Sequence, residues 1–338
     1  MRKVLFFYEG FEEQPASEGE PVPDRDGFFR DLARAGIAAE RVSPFRRPWN
    51  PFARGHPFWR SLDPARAFWA AFSRRDATAI VSYGESGALV PLLLRPFTGK
   101  KVFVIHDVDH ANWRPRKYLQ AFVIPRADRM LTATRAQQNY LSRLYTLRSP
   151  PCLVGPRIDD SFFSPSGAPP EDYVLAVGND AARDFGMLAE AVAPLDLSLR
   201  LLTRRPVDIP PEARCRVKRI TRHVSFTELR DLYDQARFVL LPLKERMSPG
   251  GMTSLLEAMA MGKAVVMTSS SGVVEFVEDG VTGIVVPLGD AAAFRAAVER
   301  LWGDPALAEA MGRAARRRFE AECSTARFAQ RLAAVLAE

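Results

Sequence analysis

The chain has 338 residues, a formal net charge of +7, 47% hydrophobic and 26% charged residues, and three cysteines, Cys152, Cys215 and Cys323. This is ordinary for a globular protein with a full core, and at about 100–200 residues per domain it predicts two domains. An odd, widely spaced set of cysteines excludes a disulfide framework or zinc pattern and suits a reducing cytoplasm, while no stretch reaches the roughly 18 apolar residues that would span a bilayer.

The first apolar run, residues 4–8, is short and ends at Glu9-Gly10 with no small-residue cleavage site, so it predicts a first β-strand and not a signal peptide. A helical spacing over 26–34 stops at Gly36, and 39–42 reads as a short strand. Residues 45–60 mix Arg46, Arg47, Arg54 and Arg60 with Trp49, Phe52, Phe58 and Trp59. Such a mixture suits a membrane interface or a stacked, charged ligand; a proline-broken surface loop is the plainer reading. A helix over 64–74 then alternates with apolar strands at 79–83, 101–105 and 129–132. Strands alternating with helices predict a parallel sheet covered on both faces, which binds ligands at the carboxyl ends of its strands.

Proline, serine and glycine cluster at 149–151 and 164–170, which reads as a linker. The alternation restarts with strands at 173–177, 197–202, 238–241 and 264–267, and helices at 185–193, 226–235 and 253–261. The tail from 290 to 338 reads as helices rich in Ala, Arg and Leu. The fold class is therefore α/β, with two doubly wound, Rossmann-like domains. They are placed at 1–164 and 165–322, and a final helix at 323–338 is expected to pack back towards the first.

The stretch Ser248-Pro249-Gly250-Gly251-Met252-Thr253-Ser254-Leu255-Leu256-Glu257, closing at Gly262-Lys263, is the most informative. Gly250-Gly251 lets backbone approach a ligand, and a helix starting near Met252 would aim free N–H groups at it, which is an anion site suited to a diphosphate. Glu257 lies four residues after Thr253 on the same helix face, about 6 Å along the axis. A carboxylate repels phosphate but accepts from two vicinal hydroxyls such as those of a ribose. A strand-turn-helix with packing glycines and a solvent-facing Glu257 is the alternative. The spacing is not that of a P-loop, and no Gly-x-Gly-x-x-Gly follows the first strand, where Gly10 is the lone glycine.

Residues 251–266, with 272–286 and Asp290, resemble the donor-site region of GT-B glycosyltransferases, in the retaining group numbered family 4, the glycosyl transferases group 1. The resemblance covers roughly 173–335, with weaker agreement at 102–107 and 127–134. It implies two Rossmann-like domains facing a cleft, a nucleotide-diphosphate-sugar donor, and transfer of a hexose-type sugar to an acceptor hydroxyl with retention and without metal. The family carries two glutamates with seven residues between them; Glu257 fills the second place and Pro249 stands in the first, with Glu245 or a nearby amide as a substitute. Where the family has Arg and Lys facing the diphosphate, this chain has Asn179 and Arg183, and Arg183 is expected to take over the lysine's role. The donor set is then Gly10, Asn179, Arg183, Gly250, Gly251, Met252, Thr253 and Glu257.

His106 ends the strand 101–105, where the resemblance places a histidine facing the donor sugar; a satisfied core histidine is the alternative. His106 and Arg183 are the catalytic candidates and Glu85 an acceptor contact. Asp107-Val108-Asp109 matches the Asp-x-Asp metal pattern of another glycosyltransferase fold, but three residues are a weak signal and no metal or other cofactor is expected. The expected partners are a nucleotide-sugar and a glycan, lipid-linked or small-molecule acceptor. A peripheral contact of residues 45–60 with the inner face of the membrane is expected too, from a cytoplasmic location. No nucleic-acid-reading motif accompanies the positive charge. A catalytically inactive nucleotide-sugar-binding or scaffolding protein of the same fold is the alternative raised by Pro249 and Asn179. An epimerase or phosphorylase on the same plan is a further one.

Overall fold

The computed structural model describes residues 2–8, 21–24, 26–43, 62–106, 114–246 and 248–338, without the side chains of 114–116. Gly10, the 45–60 segment and Asp107–Asp109 lie outside the described residues. Contacts divide the chain into two units. The first holds the described residues up to Tyr8, those of Asp26–Pro156, and Phe328–Glu338; the second holds 21–24 and those of Arg157–Arg327.

In the first unit the strands are β1 (Arg2–Phe7), β2 (Ile37–Val42), β3 (Ala77–Tyr83), β4 (Lys101–Ile105), β5 (Arg129–Thr132) and β6 (Cys152–Leu153). They form one parallel sheet in the order β2-β1-β3-β4-β5-β6. Its helices are α1 (Phe28–Arg34), α2 (Pro64–Ser73), α3 (Leu89–Thr98), α4 (Arg114–Val123) and α5 (Arg135–Leu144). Neighbouring positions Leu5, Ile80 and Val102 share one sheet face, under α2, α3 and α4. Val4, Phe6, Val81 and Phe103 share the other, against α1 and Phe328, Leu332 and Leu336 of the last helix. Burial on both faces explains why these strands read as unbroken apolar runs.

Three of these helices, α3, α4 and α5, are additional to those read from the sequence. In α3, Pro91 falls in the first turn, where its missing N–H is harmless, and Gly99 ends the helix at φ +65°. In α5, Thr134 accepts from the Gln137 N–H while the Gln137 side chain returns to the Thr134 N–H, a reciprocal cap.

The second unit repeats the plan. Its strands are β7 (Val174–Val177), β8 (Ser198–Leu202), β9 (Arg216–Ile220), β10 (Val239–Leu241), β11 (Val265–Thr268) and β12 (Gly283–Val286). Their order is β12-β11-β10-β7-β8-β9, again all parallel. Strand order reverses between β7 and β10, the point at which doubly wound sheets open a crevice for ligands. The helices are α6 (Phe185–Val192), α7 (Phe226–Gln235), α8 (Met252–Ala260), α9 (Ala291–Gly303), α10 (Pro305–Glu322) and α11 (Thr325–Ala337). The proline- and serine-rich stretch between the sheets is partly packed and not a free linker: Phe163 is buried in the second core.

Helix α10 crosses the end of α8 at a glycine pair. A Cβ on Gly312 would fall 2.1 Å from the Gly262 carbonyl oxygen, a backbone atom with no room to yield. Alanine gains about 1 kcal/mol of helix propensity over glycine, but prising two backbones apart costs about 1–3 kcal/mol. Gly312→Ala is therefore expected to lower the melting temperature by several degrees, as read by calorimetry.

Candidate functional site

The informative stretch folds as its spacing requires. Strand β10 ends at Leu241 and α8 begins at Met252, with Gly251 as its N-terminal flank at φ +86°. Gly262, at φ +65°, closes α8: its N–H bonds the Met259 carbonyl at 3.0 Å and the Lys263 N–H bonds Ala258 at 2.9 Å. The Gly250 N–H is taken by Ser248 O and the Met252 N–H by Pro249 O, so two of the four loop amides expected to face a ligand are turned onto the loop itself. The Thr253 side chain is exposed at the helix tip.

Arg183 reaches that tip from the neighbouring loop. Residues 179–184 follow β7 and are stitched to the end of β10 by Lys244 N–H to Ala182 O (2.8 Å) and Asp184 N–H to Pro242 O (2.9 Å). The guanidinium lies between two glycines: a Cβ on Gly178 would sit 1.9 Å from Arg183 Nε, and one on Gly251 would sit 2.9 Å from Nη1. Nη2 donates to Ser254 Oγ at 2.9 Å, and Nε lies 3.3 Å from the half-exposed Asp180 carboxylate. Nη1 has no hydrogen-bond partner, although the residue is only 3% exposed. Burial holds this guanidinium below its ordinary pKa, with Asp180 the first of the groups opposing that shift. A buried cation with an unspent donor, beside a helix N-terminus at the sheet's switch point, is built to meet an anion.

One turn into the helix, Glu257 is buried and not solvent-facing. Its Oε2 accepts from the fully buried Tyr233 hydroxyl of α7 at 2.8 Å. Burial pushes the Glu257 carboxyl up to about 7; the Tyr233 hydrogen bond and then the Arg183 charge oppose that rise. The Tyr233 hydroxyl is pushed well above its ordinary value by burial first and by Glu257 second. Ser254 and Tyr233 thus join the site. The three-residue spacing of Ser254 and Glu257 on one helix face was a signal for the first; Tyr233 left none.

The raised carboxyl links stability to pH. Neutral Glu257 stabilises the fold fully below its ordinary value of 4.5, and that contribution is lost as pH rises through about 7. The difference is worth about 3 kcal/mol. Glu257→Gln is expected to flatten the fall in denaturant-measured stability between pH 5 and pH 8; parallel slopes in the two proteins would contradict the burial described.

Asn179 is occupied otherwise. Its Oδ1 accepts from the Arg204 N–H at 2.7 Å and so braces the loop after β8. Glu245 is exposed and accepts from the Ser271 N–H at 3.3 Å. In the first unit, His106 and Glu85 come together at the carboxyl ends of β4 and β3, both buried, with Nδ1 and Oε1 2.5 Å apart. The Glu85 contact at Nδ1 fixes the orientation of the imidazole ring. Among the described residues, no group of three His, Cys, Asp or Glu side chains is placed to hold a metal, and no helix is long and apolar enough to cross a membrane.

Two parallel six-stranded sheets in one chain, with helices on both faces, define the α/β class of GT-B glycosyltransferase folds. Residues 171–304, which contain the Arg183 cradle and α8, match the model of the family described as glycosyl transferases group 1. The glycogen synthase of Mycobacterium tuberculosis is 37% identical over 110 residues, which is 32% of this chain and 26% of that relative's length. Sucrose-phosphate synthase from Thermosynechococcus elongatus superposes with a TM-score of 0.74 at 18% identity, over 100% of this chain and 98% of that one. Anabaena HepE, solved in complex with UDP, superposes with a TM-score of 0.68 at 12% identity over 100% of both chains.

Proposed function

We propose that the second unit binds a nucleotide-diphosphate-sugar and that the protein transfers its hexose to an acceptor hydroxyl. The observation that carries this reading is the buried Arg183 guanidinium with its free Nη1 at the start of α8. Negative charge develops on the diphosphate as the glycosidic bond breaks, and a preorganised cation and helix dipole stabilise it where water would need to reorganise. Arg183 and the Thr253 N–H contact phosphate, Gly250, Gly251 and Met252 let it approach, and Glu257 accepts from the ribose hydroxyls. Fixed cationic charge does the work for which another fold recruits a metal, so turnover is expected to persist in chelator. His106, held by Glu85, acts at the sugar; the family resemblance implies retention of the anomeric configuration, and without a nucleophilic carboxylate among the described donor-site residues front-face attack is the expected route.

HepE has been solved with UDP and with UDP-glucose, which makes a uridine nucleotide the first donor to try. Melting curves with UDP-, GDP- and ADP-sugars test the reading, because a ligand at a hundred times its Kd adds about 2.7 kcal/mol of stability. No shift with any nucleotide-sugar would reject it. A specific feature favours the second reading, an inactive binder: Pro249 offers no side-chain acceptor to the hexose and Asn179 is bound to the Arg204 backbone. A donor that stabilises the protein but is neither hydrolysed nor transferred would select that reading. The acceptor is a glycan or a lipid-linked sugar, and the 45–60 segment supplies a peripheral membrane contact; its deletion tests this by vesicle flotation.

A further inference from the structure

Helices α2, α3 and α4 lie side by side on one face of the first sheet and present an unusual outer surface. Their inner residues, among them Ala67, Ala70, Leu92 and Val123, are buried on the strands. Their outer residues are large and apolar: Phe68 is 50% exposed, Phe72 45%, Leu93 53%, Phe97 78% and Tyr118 74%. Phe68 and Phe72, one turn apart, stack at 6.1 Å. Five such side chains on three adjacent helices make a patch, not the scattered exposure that needs no explanation.

The charges around the patch have one sign. No aspartate or glutamate occurs in 64–75, 86–106 or 110–127. Arg75, Lys117 and Arg126 are exposed, and Arg126 lies over the Phe122 ring at 4.1 Å. Of the flanking acids, Asp63 is buried as the cap of α2, Glu85 is buried against His106, Asp76 pairs with Lys3 and Asp128 with Arg95, while Asp107 and Asp109 lie outside the described residues. We propose that this face docks the protein on an anionic phospholipid surface, with the aromatic and leucine side chains entering the headgroup boundary and the cations meeting lipid phosphates. A second copy of the same face would set cations against cations, whereas an anionic bilayer complements both features. The patch owes nothing to the donor site, so its failure leaves the transferase reading standing.

Cosedimentation of the full chain with vesicles of phosphatidylcholine, alone or mixed with phosphatidylglycerol, tests the assignment. The wild type is expected to partition to the mixed vesicles and to come off with salt. Phe72→Ser with Phe97→Ser is expected to weaken partition about tenfold or more, with an unchanged melting temperature because both positions are exposed. Lys117→Glu with Arg126→Glu is expected to erase the preference for the anionic lipid. Equal partition of wild type and both variants would overturn the proposal. So would a wild-type dimer that the phenylalanine variant dissociates while vesicle binding stays the same.

Discussion

Arg183→Met is expected to reduce donor turnover by about a thousandfold or more, while the protein melts at the same temperature or higher. The two effects separate because the guanidinium is poorly served by the fold alone. It is buried, one nitrogen lacks a partner, and its hydrogen bond to Ser254 is easily replaced. A methionine of similar length fills the space between Gly178 and Gly251 without desolvating a charge, and such exchanges are often neutral or stabilising. Strain kept for function gives this signature: activity falls and stability does not. Steady-state kinetics with the donor found by the melting screen, beside calorimetry, measure both. A variant that loses stability in step with activity would make Arg183 a structural residue.

Gly178→Ala is expected to cost nearly as much activity without touching a single ligand-binding side chain. The new methyl would lie 1.9 Å from Nε and 2.6 Å from Cζ of Arg183, so the guanidinium must leave. Moving a flexible side chain into solvent is cheap, but Gly178 lies at φ +149°, where an L-residue is strained, so a loss of about 1–3 kcal/mol in stability accompanies the loss of activity. The loss belongs to the diphosphate, and nucleotide affinity measured by titration calorimetry should fall about as far as in Arg183→Met. In the double variant the two losses should fail to add, because both remove the same cation. Independent, additive losses would place the glycine's role elsewhere.

Much of this site was legible in the residues. Gly251, Glu257 and Gly262 have chemistry that survives translation into three dimensions: a left-handed backbone, a helical spacing, a helix stop. Arg183 could be nominated as a phosphate ligand but not as a buried one, since its seclusion depends on Gly251 and Ser254, which are distant in sequence, as well as on the nearby Gly178. Glu257 was placed correctly on its helix, yet its partner Tyr233 arrives from α7, and no periodicity announces a pairing between helices. The sheets were legible because doubly covered strands are apolar throughout. Helices α3 and α4 were not: Pro91 and Pro96 interrupt Leu89–Thr98, and α4 opens on the charged, proline-bearing stretch Arg114-Pro115-Arg116-Lys117. Helix α5 did carry a signature, the Thr134–Gln137 cap, in a segment too polar to draw attention. Edge strand β9, with sequence RVKRI, offers only the half-buried Val217 and Ile220, which face opposite cores, among three cations.

The last helix has a consequence for how the protein comes into being. Thr325 is tied to Ile158 and Asp160, whereas Phe328 packs on Phe28 and Leu332 beside Val4 and Phe6. Val4, Phe6 and Phe28 therefore leave the ribosome long before the helix that seals their core. Until then the first unit shows an open apolar seam to solvent, and its completion during synthesis is delayed. Chains stalled short of residue 328 should accordingly be the ones that chaperones hold.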